Sequence, residues 1–349
     1  MKKTFKVTVN NIRRKVMRSL TKNIGKSTGY DNLKPIGDLQ VKRILIIRPN
    51  NRLGNLLLIT PLLQEIETTF PNCRTDFFVR GFLAPILYKN YSSPDRYISL
   101  PKKPFKELIK YVASWASIKK NKYDLVINAV NSSSSGRISV QFASAKYKFY
   151  GDPVTNISHL EGHEHIAKYP VYNFREFIAK IGVQPNTQPV PLLDLKLNKE
   201  ELASGKKLLD DLKGNNKPTI CIFTFATGFK CHPPTWWEPF YERLQQTFPE
   251  HNIVEVLPAE NVSQINFKAP SFYSKDVREI GAFIAHTKVF IGADSGIMHL
   301  ASAAKVPVVG LFVNNNIETY KPYGNGSIAV DTKTTTTDEC VDLVKAIIG

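Results

Sequence analysis

The chain has 349 residues, enough for about two domains of ordinary size, and its 42% hydrophobic content fits a globular protein with a substantial core. No apolar run reaches the roughly 18 residues of a membrane-spanning helix, the basic start of the chain is not expected to be a secretory signal, and Cys73, Cys221, Cys231 and Cys340 are scattered without disulfide-framework or metal-ligand spacing. A net charge of +17 calls for an acidic partner: nucleic acid, anionic lipid or a phosphorylated glycolipid.

Residues 1–30 carry Lys2, Lys3, Lys6, Arg13, Arg14, Lys15, Arg18, Lys22 and Lys26 and no acidic residue. Ile12, Val16 and Leu20 recur among them at helical spacing. The stretch reads either as a weakly amphipathic segment lying on an anionic membrane surface or as a solvated basic tail. No zinc finger, helix-turn-helix or RNA-binding motif with stacking aromatics is present in the sequence, so no nucleic-acid partner is expected.

After a basic extension over 1–40, residues 43–48 (RILIIR) form a short apolar run of the kind that makes a buried parallel strand. A helix is predicted over 56–70, stopped by Pro71 and Asn72. A strand at 75–79, a helix near 83–89, a strand at 97–100 and a helix over 105–120 follow. The run YDLVIN at 123–128 is another buried strand, succeeded by a helix near 137–143 and a strand at 148–150. Residues 163–181 read as mainly helical, with a break at Pro170. Pro185, Pro189 and Pro191 erase any period over 182–191 and mark a linker. The pattern then restarts: helix 199–212, strand 219–225, helix 237–248, strand 252–257, helix 277–286, strand 288–291, helix 297–305, strand 306–312 and a closing helix at 338–348. Such alternation predicts an α/β fold with two doubly wound parallel sheets, over 41–183 and 199–349, joined by a linker at 184–198. Ligands in such sheets bind beyond the carboxyl ends of the strands, here in the cleft between the halves.

Two strand-to-helix turns carry the chemistry. The first, RPNNRLGNLLLITP at 48–61, places Gly54 at a point of close approach, flanked by Arg48 and Arg52, which can hold phosphate or carboxylate. The second, IGADSGIMHLASAAKVPVVGLF at 291–312, puts Asp294, Ser295 and Gly296 at a helix N-terminus, with His299 one turn later. Unpaired N–H groups and the positive dipole end suit such a turn to a diphosphate. Gly296 allows close approach, and His299 can add a hydrogen bond or a positive charge. The same residues also suit a plain N-cap and a packed helix. A third loop, 223–240, offers Thr227 and Lys230 to a phosphate. Beside it, one of Trp236 and Trp237 is expected in the core and the other against the loop.

Together, D-S-G-x-x-H-L-A-x-A with P-V-V-x-L-F at the second turn, and ILIIR…LGNLLLITP with Phe70–Pro71 at the first, resemble the signatures of the lipopolysaccharide heptosyltransferases, glycosyltransferase family 9. The resemblance covers roughly 43–349, with gaps in the middle. It implies a GT-B arrangement of two facing Rossmann-like domains. The second would hold a nucleotide-diphosphate sugar, ADP-heptose by resemblance, and the first an anionic lipid-linked saccharide acceptor. It implies inversion at the anomeric carbon with no metal and no further cofactor. No D-x-D metal motif stands in the cleft-forming loops, in agreement. By position Glu260 resembles the family's acidic residue on the donor ribose, although a plain surface glutamate fits equally. Beyond Phe312 the chain departs from the family's G-P-T, leaving donor contacts at Asn314 to Asn316 open.

One departure bears on catalysis. The family's aspartate after the glycine, implicated as general base, is Asn55 here, and an amide has no useful basicity near neutral pH. Asp152 and His163, the latter within EGHEH at 161–165, are the substitute bases; a solvated loop is the plain alternative for that cluster. H-x-H alone lacks two further ligands and is not read as a zinc site. The sequence therefore points to a glycosyltransferase at the inner face of a bacterial cytoplasmic membrane. A catalytically silent nucleotide-sugar or glycolipid-binding subunit, or a transferase using another nucleotide sugar, remain the alternatives.

Overall fold

The apolar runs form the strands of two sheets. The computed structural model describes residues 15–16, 19–25, 30, 33–35, 37, 40–103, 106–313 and 316–349. In the first sheet β1 (Arg43–Arg48) is central, with β2 (Arg74–Arg80) and β3 (Pro94–Leu100) on one side and β4 (Lys122–Asn128) and β5 (Ser144–Phe149) on the other. In the second, β6 (Thr219–Phe223) is followed outward by β7 (Asn252–Val256) and β8 (Ser271–Phe272), and on its other side by β9 (Val289–Ala293), β10 (Val308–Phe312) and β11 (Ile328–Asp331). All neighbouring strands run parallel. Ile44–Ile47 and all five residues of β6 are buried, because helices cover both faces. Strand order reverses between β1 and β4 and again between β6 and β9, so each sheet has one switch point where a crevice opens.

The helices are α1 (Leu53–Leu57), α2 (Thr60–Thr69), α3 (Leu83–Leu87), α4 (Leu108–Lys120), α5 (Ser134–Phe142), α6 (Lys168–Lys180), α7 (Lys199–Lys213), α8 (Pro234–Thr247), α9 (Val277–Ile284), α10 (Gly296–Ala303), α11 (Ile317–Tyr320) and α12 (Thr337–Ile348). The single helix predicted over 56–70 is thus two. Pro61 has no N–H to give to Leu57, and the Thr60 hydroxyl donates to the Leu57 carbonyl at 2.7 Å instead, which ends α1 and starts α2. Pro170 does not break a helix. It lies in the first turn of α6, where no intrahelical donor is needed. The strands β8 and β11 were not foreseen.

The proline-rich stretch forms neither helix nor strand, yet it is bonded to both halves. Gln64 donates to the Leu192 carbonyl at 2.8 Å, and the Asp194 amide donates to Thr60 Oγ1 at 3.2 Å. The next amide, Leu195, donates to Ala303 in α10 at 2.9 Å. Beside this strap the buried Arg278 of α9 ties three segments. Its guanidinium forms a two-pronged pair with Glu201 at 2.6 and 2.7 Å. It also donates to the carbonyls of Ile86 and Leu87 at the end of α3, and of Leu195 and Lys196 in the strap.

Part of the basic extension packs on the first half. Thr21 is buried, Ile24 joins the cluster formed by Leu45, Ile47 and Ile118, and the Tyr30 ring meets Phe177 edge-on at 5.4 Å. Val16 and Leu20 remain exposed. Of the predicted amphipathic segment, Lys2, Lys3, Lys6, Ile12, Arg13, Arg14, Arg18 and Lys26 lie outside the described residues. Among the described residues no helix is long and apolar enough to cross a membrane.

Candidate active site at the junction of the two halves

Both motif turns stand at carboxyl ends of switch-point strands, and they meet. In the first, the Asn50 side chain accepts from the amides of Asn51 and Arg52 at 2.7 and 2.8 Å, turning the chain into α1. A Cβ on Gly54 would stand 2.8 Å from His299 Cδ2 and 3.3 Å from the Gly296 Cα. One on Gly296 would stand 3.1 Å from Leu53 Cβ and 3.2 Å from the Gly54 amide nitrogen. The glycines were expected to make room for phosphate. The structure shows that their bare faces first admit each other, letting α1 and α10 touch across the cleft.

The second turn is held by its own side chains. Ser295 is the N-cap of α10 and its hydroxyl accepts from the Met298 amide at 3.3 Å. Asp294 is buried and ion-paired with Lys230, which the loop after β6 supplies. The Lys230 ammonium also sits 5.6 Å from the centre of the Tyr320 ring. His299 is buried. Burial, reinforced by the positive fields of His165 and Lys230, pulls its pKa down to about 3, so near neutral pH the ring is uncharged. Of the two roles expected for His299, hydrogen bonding is therefore the one available before an anion arrives.

From the first half, Arg48 reaches the same region. It is buried at the end of β1, its Nε donates to the Asn55 carbonyl at 3.3 Å, and no carboxylate pairs with it among the described residues. Burial lowers its pKa to about 10, while the nearby Tyr88 and Tyr320 phenols act in the opposite direction. It remains a cation near neutral pH. Arg48, Lys230, His299 and Tyr320 thus converge from both halves, with cationic charge only partly neutralised by Asp294. Such a site is suited to a multiply charged anion.

The substitute bases differ in their engagement. Asp152 is gripped by Arg137 through two contacts at 2.6 and 2.8 Å, so its carboxylate is occupied in holding the first half together. His163 is half-buried, and its Nδ1 lies 3.1 Å from the Leu160 carbonyl. A carbonyl can only accept, so Nδ1 carries the hydrogen, and Nε2 makes no hydrogen bond among the described residues. His165 has neither nitrogen to spare: Nδ1 accepts from the Ala167 amide at 3.2 Å and Nε2 donates to the Lys321 carbonyl at 2.9 Å. That arrangement removes H-x-H as a chelating pair. Asn55 makes no side-chain hydrogen bond among the described residues.

The remaining candidates are more peripheral. Arg52, Thr227 and Glu260 are exposed. Thr227 leads into a short 3-10 turn, Gly228–Lys230, which presents Lys230. Trp237 is fully buried and Trp236 packs on His232 at 4.4 Å between ring centres, as the alternation of core and loop roles predicted. Glu260 stands in the turn after β7, in a loop anchored by a residue the sequence did not single out. Buried Glu255 accepts from Thr224 at 2.5 Å and Ser263 at 2.7 Å, and burial raises its pKa. Tyr320 was likewise unforeseen as a member of the site. Of the Asn314–Asn316 stretch, 314 and 315 lie outside the described residues.

Comparison with known proteins agrees with this geometry. The profile of glycosyltransferase family 9 (heptosyltransferase) matches residues 111–346. Lipopolysaccharide heptosyltransferase 3 of Escherichia coli is 22% identical over 301 residues, covering 79% of this chain and 85% of that one. A family 9 glycosyltransferase from Veillonella parvula superposes with a TM-score of 0.68 at 16% identity, covering 89% of this chain and 98% of that one. The E. coli heptosyltransferase WaaC with ADP superposes with a TM-score of 0.65 at 15% identity, covering 87% and 99%. With two Rossmann-type sheets meeting at these turns, and the family profile spanning most of the chain, the protein belongs to glycosyltransferase family 9, the heptosyltransferases, and is a glycosyltransferase of the GT-B fold.

Proposed function

We propose that the protein transfers heptose from ADP-heptose, with inversion and without a metal, to a lipopolysaccharide-core or related membrane glycolipid. The observation that carries this reading is the convergence of Arg48 with Lys230 and His299 at the Gly54–Gly296 contact. In it, residues 199–349 hold the donor, residues 41–183 the acceptor, and 184–198 connect them. The donor diphosphate takes the free amides at Ser295 and Gly296, with Lys230 and His299 beside it. Glu260 accepts from the ribose hydroxyls, and Thr227 and Asp294 shape the phosphate loop. Arg48, Arg52 and Gly54 form the acceptor and phosphate side.

The acceptor hydroxyl attacks the anomeric carbon as the bond to the diphosphate breaks, and its proton passes to a base. Preorganised donors aimed at a leaving group are each worth about 3 kcal/mol of barrier. Asn55 orients the hydroxyl and His163, with its free Nε2, takes the proton; Asp152 is the weaker candidate because Arg137 occupies it. The enzyme works at the inner face of the bacterial cytoplasmic membrane, where residues 1–30 meet anionic lipid. Exposed Val16 and Leu20 beside Lys15 and Lys22 support that placement.

Calorimetric titration with ADP-heptose, ADP, UDP and GDP, followed by incubation with lipopolysaccharide core and mass spectrometry, tests the reading. Preference for ADP ligands and a heptose mass added to the core is the expected result. Preference for UDP or GDP overturns the donor. Tight ADP-heptose binding with no mass shift on any core favours a silent subunit, the second reading that Asn55 supports.

A further inference from the structure

Helix α4 has two unlike faces. Ser114 and Ile118 are buried and Trp115 packs behind them, against Phe78 of β2 at 5.4 Å between ring centres. The opposite face holds Leu108, Ile109 and Val112, exposed to 59%, 87% and 57%, with Ala113 and Ala116 beside them. Large aliphatic side chains clustered on one exposed helix face mark an interaction surface, since scattered exposed apolar residues would not share a stripe.

The charge around the stripe identifies the occupant. Residues 101–122 contain Lys102, Lys103, Lys106, Lys110, Lys119, Lys120 and Lys122 against one acidic residue, Glu107, which is itself paired with Lys110 at 3.1 Å. Lysines on both ends of an aliphatic stripe suit headgroup phosphates, because the aliphatic stems lie along the apolar region while the ammonium groups stay in the headgroup layer.

Two further observations place this face. Lys102 comes within 3.5 Å of the position a Cβ on Gly81 would take, and the Asn51 side chain lies 3.3 Å from the same point, so the lysine-rich segment starts beside the Arg48–Gly54 loop. Ile24 packs into the same cluster as Tyr111, Trp115 and Ile118, which sets the basic N-terminal segment on the same side of the first sheet as α4.

We propose that the outer face of α4 is a docking surface for an anionic membrane, inserting Leu108, Ile109 and Val112 among lipid headgroups and presenting the first-half cleft to the membrane. This rests on the reading of the acceptor as a membrane glycolipid. It assigns the contact to α4 as well as to residues 1–30.

The test uses the full chain and phosphatidylglycerol–phosphatidylcholine vesicles that contain no glycolipid. The variant Leu108→Glu/Ile109→Glu/Val112→Glu is expected to bind them about tenfold more weakly or worse than the parent. Its ADP titration and melting temperature should be unchanged. In a second variant, Ile109→Trp, the added emission should be quenched by brominated acyl chains. Parent-like vesicle binding by the triple variant, or no quenching of the new indole, overturns the proposal. So does equal binding of the parent to pure phosphatidylcholine, or binding to neither vesicle. Because the vesicles carry no acceptor and nucleotide is titrated separately, failure of this surface and failure of the transferase reading give different results.

Discussion

The turn after β4 and the turn after β9 occupy the same place in their respective sheets, and they are built from different chemistry. Each is capped by a serine: Ser133 accepts from the Gly136 amide at 3.1 Å, and Ser295 from the Met298 amide at 3.3 Å. After β4 the polar groups are turned inward. The Asn128 amide donates to Val130 and Tyr150 carbonyls at 2.7 and 2.9 Å, a Cβ on Gly136 would strike Asn128 Oδ1, and Arg137 is locked to Asp152. After β9 the groups face the other half: Gly296 against Gly54, His299 beside it, Lys230 reaching in from the next loop. Topology thus places a serine-capped helix end at both points; side chains fill the space before the first, whereas the second faces the other half of the molecule.

The largest expected effect tests the closed turn. Arg137→Ala strands the Asp152 carboxylate and should cost about 3–4 kcal/mol of stability by urea denaturation, with ADP affinity unaltered. An equal loss of ADP affinity would mean that the β4 turn is not separate from the donor site. Gly54→Val drives a branched side chain into the buried His299 ring and should cost about 2–3 kcal/mol and abolish most transfer. Lys230→Ala probes the open turn. It should weaken ADP binding by about 2 kcal/mol, roughly thirtyfold, measured by calorimetry.

Smaller effects sharpen the contrast. Burial holds His299 at about 3 and His165 at about 4, both below the ordinary 6.5. As pH falls through the ordinary value the unfolded chain takes up protons first. The stability these neutral rings contribute is therefore present above about pH 6.5 and is lost towards their folded values, at about 1.4 kcal/mol per pH unit for each ring. Urea titrations from about pH 7 to about pH 5 should show this slope, and His299→Gln should reduce it. Arg52→Ala, at an exposed position, should change stability by less than about 0.5 kcal/mol and act on acceptor affinity alone.

Much of this was legible in the sequence, for identifiable reasons. RILIIR and YDLVIN advertise buried parallel strands because both their faces are covered. The D-S-G-x-x-H turn is local, so its cap and helix could be read directly. Features made by distant residues could not be read this way. Two-residue β8 has no periodicity to detect, and β11 follows a glycine-rich turn that masks it. Asp152 looked like a free base until Arg137, on another element, was placed against it. Gly54 and Gly296 each announced close approach, but neither announced that the approaching group was the other. Of EGHEH, only hydrogen-bond partners separate His163, whose Nε2 is unengaged among the described residues, from His165, both of whose nitrogens are bonded.

The Arg278 cluster has a mechanical consequence. Its guanidinium is bonded at once to the end of α3, the connecting strap and Glu201 of α7, so one side chain clamps the first half, the strap and the second half together. Cutting it back would take the shared donor from four carbonyls and a carboxylate in one stroke, so the damage would be felt in three segments far apart in the chain.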